Sequence, residues 1–221
     1  MKRLELFFVS IVLLALPAGT SWATDTAMPL YGRVGALAGA AQYHSTAGEW
    51  SDALVNEPVT AGTGLRTAQS AEAELRIPGA RLALAPSSEL RILRLDNETL
   101  QITMPDGRVG IHLDGGGAAK TIEIDLPYGG VWLDAPGDYD IAAGDAHAPA
   151  VVQVFAGKAR LGGGLDDRYI AAAEPDWFSD WWRSQGDNAA PAQRRQLAGI
   201  AGAAALDADG RWETDPQLGK V

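Results

Sequence analysis

No cysteine occurs among the 221 residues, which removes disulfides, thiolate nucleophiles and Cys-ligated zinc from the possibilities. Histidine is nearly as scarce. His44, His112 and His147 lie far apart, and none has a second histidine at i+2, i+3 or i+4, so a metal ligand set would have to be assembled from distant loops. Positive charge is in short supply: 18 Lys and Arg stand against 28 Asp and Glu, a net charge of −10. That balance disfavours nucleic acid and anionic lipid as partners. There is no Gly-x-Ser-x-Gly elbow, and Ser87 and Ser88 follow Pro86 with no base near them in sequence. Gly115-Gly116-Gly117 is followed by neither Gly-Lys-Ser/Thr nor a helix opening, so it is not a phosphate loop.

Long apolar runs are missing everywhere except at the start, where Lys2-Arg3, the apolar stretch Leu6 to Leu16, the breakers Pro17 and Gly19, and Ser21-Trp22-Ala23 make up a secretory signal. The stretch is short of the roughly 20 residues that a transmembrane helix needs. Cleavage is expected near Ala23, leaving a chain in the periplasm or secreted, without a transmembrane segment. Removing two cations and one anion with the signal makes the remainder more acidic still.

What the sequence does have is a long series of short alternating segments between Leu65 and Leu161: Leu75 and Ile77, Leu82 and Leu84, Leu90 and Ile92, Leu100, Ile102 and Met104, Val109, Ile111 and Leu113, Ile122, Ile124 and Leu126. A period of two puts these side chains on one face of successive strands. Pro78-Gly79, Asp106-Gly107 and Gly129-Gly130 supply the reversals between them. In Leu90 to Leu95 the alternation slips between Ile92 and Leu93, as at a β-bulge. Ala150 to Ala156 is the most apolar run after the signal and reads as a buried strand. The fold class is therefore all-β, and spacing alone leaves open a solenoid or a sandwich.

Composition changes at Pro175. Asp176 caps a short helix carrying Trp177, Phe178, Trp181 and Trp182 at i, i+1, i+4 and i+5, and Gly186 ends it. Such a stripe packs a helix onto its own domain or offers a platform to a glycan or partner. The expected organisation is a signal (1–23), a flexible lead-in (24–30), a β-domain (31–174), the aromatic helix (175–186), and a linker with an irregular tail (187–221).

Several phrases together resemble the FecR-type domain of bacterial envelope proteins: Gly62-Thr63-Gly64-Leu65-Arg66-Thr67 leading to Ala73-Glu74-Leu75, then Pro136-Gly137-Asp138-Tyr139-Asp140-Ile141, then Val152-Gln153-Val154-Phe155-Ala156-Gly157-Lys158-Ala159. The tail, with Asp176 to Trp182 followed by Leu206 to Trp212, is similar to a group of exported proteins of unassigned function. The resemblance implies a β-helical or rolled β-domain in the periplasm that binds and does not catalyse. Direct sigma-factor control is not carried over, because a signal beginning at residue 1 leaves no cytoplasmic segment. Thr63 stands where family members often place an acidic residue.

The reading that follows is a non-enzymatic binding module without cofactor or metal. Its partner is an envelope protein or cell-wall polysaccharide, held on an exposed sheet face or on Trp177, Phe178, Trp181 and Trp182. The rival is an envelope polysaccharide hydrolase or lyase, for which Asp134, Asp138 and Asp140 are the first suspects. The same three aspartates lack the register of a calcium loop.

Overall fold

A computed structural model describes residues 27–46, 48–114, 119–145 and 147–184, with the paired two-residue strands Thr214–Asp215 and Gly219–Lys220. The signal segment, the glycine triplet at 115–117, Gly186 and nearly all of the tail lie outside the described residues.

The chain is mostly β. Its strands are β1 (Gly32–Ala38), β2 (Ala41–His44), β3 (Ser51–Asp52), β4 (Pro58–Val59), β5 (Gly64–Thr67), β6 (Glu72–Ile77), β7 (Ala80–Leu84) and β8 (Glu89–Leu95). There follow β9 (Thr99–Asp106), β10 (Arg108–Leu113), β11 (Thr121–Leu126), β12 (Gly129–Leu133), β13 (Gly137–Ala142), β14 (Val151–Ala156), β15 (Ala159–Gly163) and β16 (Ile170–Ala171), then helix α1 (Trp177–Ser184). They form two eight-stranded sheets, neither of them closed. Sheet 1 runs β16-β14-β13-β10-β7-β6-β1-β4 and sheet 2 runs β15-β12-β11-β9-β8-β5-β2-β3.

Hairpins alternate between the sheets. β6 and β7 belong to sheet 1, β8 and β9 to sheet 2, β11 and β12 to sheet 2, β13 and β14 to sheet 1, so the chain winds back and forth while advancing along both. Neighbours are antiparallel except β9 with β11 and β14 with β16. The inward residues of both sheets, among them Leu65, Leu75, Leu82, Ile92, Ile102, Ile111, Ile124, Val131 and Ile141, close into one apolar core. This is what period-two patterning requires when one face of each sheet is buried.

Local chemistry sets the joints. The slip in β8 is a bulge between Ile92 and Arg94 that turns Leu93 outward. Asp96 makes the next turn, its carboxylate accepting from the Glu98 and Thr99 amides at 2.8 and 2.7 Å. The Tyr139 hydroxyl donates to the Ala135 carbonyl (2.5 Å) and accepts from the Lys158 amide (2.9 Å). Gly157, at φ +96°, leaves it room, since a Cβ there would lie 2.1 Å from that hydroxyl. Thr67 ties two turns, donating to the Ala85 carbonyl at 2.6 Å and accepting from the Ser88 amide at 3.0 Å.

Two expectations change. The described part of the lead-in is not loose: Pro29 bridges Asp96, and the Met28 amide donates to Asn97 Oδ1 at 2.7 Å. Ala150 to Ala156 does hold a strand, but beyond β14 lies only the two-residue β16. Only Ala150 and Val152 of that run are buried, because its outer face meets solvent and the side chain of Arg183 rather than a second apolar layer.

Candidate functional site

The two outer faces differ. On sheet 1, cross-strand register lines up Glu74, Ala83, Gly110 and Asp140 from β6, β7, β10 and β13. The small residues in the middle make a bed for α1. Phe178 and Trp182 are 0% and 1% exposed against Ala83 and Ala85, with Trp181 partly buried beside them. Gly110 is required here, because a Cβ would stand 2.3 Å from the Trp182 indole nitrogen.

Polar groups latch the helix at both ends. Asp176 accepts from the Ser179 amide (2.9 Å) and Ser179 Oγ accepts from the Asp176 amide (2.8 Å), a reciprocal cap. Arg108 donates to Asp140 at 2.6 and 2.9 Å and to Asp176 at 2.6 Å, and it stands 5.0 Å over the Phe178 ring. Burial works against the charge on Arg108, but the hydrogen bonds to Asp140 and Asp176 outweigh it and hold its pKa above the ordinary value. Burial pushes the Asp140 carboxyl up against the pull of Arg108 and of the Trp182 indole N–H at 3.3 Å. At the other end Arg81 donates to the Trp182 carbonyl at 2.7 Å, satisfying a terminal acceptor. Arg81 also pairs with Glu74 at 3.5 Å, and Glu74 binds Arg76.

This geometry corrects the aromatic-platform reading for two of its four residues. Phe178 and Trp182 face the sheet and are closed to a partner, whereas Trp177 is 61% exposed and Trp181 is partly buried. Each of the three suspect aspartates is engaged by a different basic partner. Asp134 binds Arg160 (2.6 Å), Asp138 meets His112 Nδ1 (2.7 Å), and Asp140 binds Arg108 beneath the helix. Burial disfavours the charge on Asp138, yet the hydrogen bond with His112 and the nearby Arg183 and Arg81 hold its pKa below the usual carboxylate range.

Sheet 2 carries the arrangement that sequence reading did not find. Among the described residues no helix lies on its outer face. Register places Gly162, Gly130, Asp125, Thr103, Arg91, Gly64 and His44 in one row across β15, β12, β11, β9, β8, β5 and β2. A tryptophan lies at each glycine site. The Trp132 ring covers Gly130 and Gly162, where a Cβ would come within 2.8 Å of its carbons, and an edge of Trp50 lies against Gly64, where a Cβ would stand 3.1 Å from it. Glu123 is the cross-strand partner of Trp132. Trp50 is held among Arg66 (4.3 Å), Arg91 (5.7 Å) and His44 (5.4 Å). Both rings are half-buried.

Between the rings stand Asp125, Thr103, Glu123 and Gln101, with the Gln101 amide donating to Asp125 at 2.9 Å. Burial pushes the Glu123 carboxyl up, and the charge of Asp125 and a proton shared with it add to the shift, against the indole of Trp132. The arginines are already paired: Arg91 with Glu89 (2.9 Å), Arg94 with Asp96 (2.6 Å), Arg160 with Asp134 (2.6 Å), and Arg66 with Gln42 (2.7 Å).

In comparisons with family models, curated proteins and solved structures, no match to this chain is found.

Proposed function

We propose that this chain is a non-enzymatic binding module of the bacterial envelope, built on a FecR-like rolled β-domain and working in the periplasm or secreted. The observation that carries the reading is the contrast between the faces: Arg108, Asp140 and Arg81 of sheet 1 are engaged in seating α1, while the outer face of sheet 2 holds two half-buried tryptophans with hydrogen-bonding side chains between them. The alternating winding of the hairpins supports the rolled-domain reading. The phrases that carry the FecR resemblance fall on structural joints, Thr67 between turns and Tyr139 beside Gly157, which supports their reading as marks of a fold. Their partner is an envelope protein or a cell-wall polysaccharide.

A binding role is favoured over hydrolysis by the engagement of the suspect carboxylates, since Asp134, Asp138 and Asp140 are held by Arg160, His112 and Arg108 respectively. Photo-crosslinking from Thr103, compared with Trp177, in intact cells tests the module. A crosslinked envelope component from Thr103 in the periplasmic fraction is the expected result. Recovery of the protein in the cytosol, or release of reducing sugar from cell-wall fractions, removes the proposal.

A further inference from the structure

We infer that the outer face of sheet 2 is a binding strip for an extended, uncharged polysaccharide, which stacks on Trp132 and Trp50 and hydrogen-bonds to the side chains between them. The inference rests on the binding-module reading and names its ligand class.

Glycines placed against both rings are the first argument. Gly130 and Gly162 meet in register on adjacent strands, and Trp132 lies across both. Gly64 sits four strands along from Gly130 in the same row, and an edge of Trp50 lies against it. A strand interior gains nothing from glycine, which costs conformational entropy and leaves a gap. Here the gap is what lets an indole lie against the sheet. Trp132 spends one side on the backbone with Arg160 5.7 Å from its ring, Trp50 packs with Arg66 4.3 Å from its ring, and each keeps part of its apolar surface toward solvent, which suits stacking against the flat face of a sugar ring.

The spacing makes a strip rather than a point. From Gly130 on β12 to Gly64 on β5 the row crosses four inter-strand intervals, or roughly 19 Å at about 4.8 Å per interval. A single monosaccharide does not reach across that distance, but a chain of several does. The residues on the way are acceptors and donors of the kind hydroxyl groups need: the Asp125 and Glu123 carboxylates, the Gln101 amide and the Thr103 hydroxyl.

Charge decides which polysaccharide. Each arginine bordering the strip already has a protein partner, through Glu89, Asp96, Asp134 or Gln42. An anionic polymer would meet Glu123 and Asp125 at the middle of the strip, in a chain of net charge −10. Of these bordering arginines, Arg66, bonded to the neutral Gln42 amide and packed on Trp50 at one end, is the one without a carboxylate in its pair. A neutral polymer meets acceptors for its hydroxyls and no such opposition.

Affinity electrophoresis and calorimetry with three soluble neutral polysaccharides (hydroxyethylcellulose, laminarin and glycol chitin) and with alginate as the anionic control test the inference. The protein is expected to bind at least one of the neutral three more tightly than alginate. Trp50→Ala and Trp132→Ala should each weaken that binding about thirty-fold, the loss seen for aromatic anchors of an interface. Trp177→Ala, on the helix over the other sheet, should leave it unchanged, and circular dichroism should show each variant folded. Because a strip needs its middle, Thr103→Glu should also weaken binding without touching either ring, which keeps the test valid if a tryptophan variant misfolds. Binding to none of the three, preference for alginate, or wild-type affinity in the folded Trp50→Ala/Trp132→Ala variant overturns the strip. In that case an envelope protein still crosslinked from Thr103 leaves the binding module standing, and loss of both results removes both.

Discussion

At the scale of single residues, the outer faces are decided by what small side chains permit. Gly110 and Ala83 admit Trp182 on one face, as Gly130 and Gly162 admit Trp132 on the other. The Trp132 site also sets a titration. Glu123 has burial, the Asp125 charge and a shared proton raising its pKa above the ordinary carboxyl value near 4.3, with only the indole N–H pulling the other way. A carboxyl whose folded pKa is raised favours the folded state in its protonated form. Its contribution is full below the unfolded value and is lost as pH rises through the folded one. Glu123→Gln, which copies the uncharged form, should therefore raise the urea midpoint at pH 7. The gain should stay under about 1 kcal/mol, because the pair is partly solvated. Near pH 3.5 the variant and wild type should coincide. Equal midpoints at pH 7 would show that the two carboxyls do not oppose each other.

At the scale of elements, α1 is too short to stand alone, since isolated helices below roughly 12 residues are marginal in water. Burying Phe178 and Trp182, at roughly 1.5–3 kcal/mol for each large side chain, is what holds it. The cap decides whether it forms in register. Asp176 serves the Ser179 amide and Arg108 at once, and its pKa is held down first by the Arg108 hydrogen bond, with burial opposing. Asp176→Ala should cost about 1–2 kcal/mol, the upper part of the range for a lost cap, and should broaden or shift the Trp182 indole N–H resonance while leaving the sheet 2 amides in place. An unchanged Trp182 signal would mean that packing alone seats the helix. This helix was legible in the sequence, because Asp176 and the clustered aromatics sit within one short window. The strands and the Leu93 bulge were legible for the same reason: period two is a local property. The sheet to which each strand belongs was not, because alternation marks a buried face and says nothing about which neighbour shares it. For that reason the pairs that make both sites went unread. Arg108 meets Asp140 and Asp176, and Trp132 meets Gly162, only through register between separate segments. The inward turn of Phe178 and Trp182 likewise depends on Ala83, Ala85 and Gly110, which precede them in the chain and become neighbours only when β7 pairs with β10.

At the scale of the whole molecule, one core joins both sheets, so neither sheet has an apolar face to keep if the other departs. Unfolding should accordingly be a single cooperative transition, with intrinsic fluorescence and far-ultraviolet dichroism superimposing. Within that unit the edges are unequal. β3, β4 and β16 are two residues long, which limits the unpaired backbone they present, whereas the fourth edge, β15, runs five residues from Ala159 to Gly163. It ends in two glycines and is partly or fully exposed along its length. Its amides have a partner strand on one side only, so opening there breaks fewer contacts than opening β7 or β10 at the centre of sheet 1. Native-state hydrogen exchange should show β15 and β16 exchanging well before β6, β7, β9 and β10, with the central strands exchanging only through global unfolding. If β15 were protected to the same degree as β7, some further segment would have to cover that edge. Trp132, which leans across Gly162 of β15, would then be partly screened, and the sheet 2 face would be narrower than the register of its strands implies.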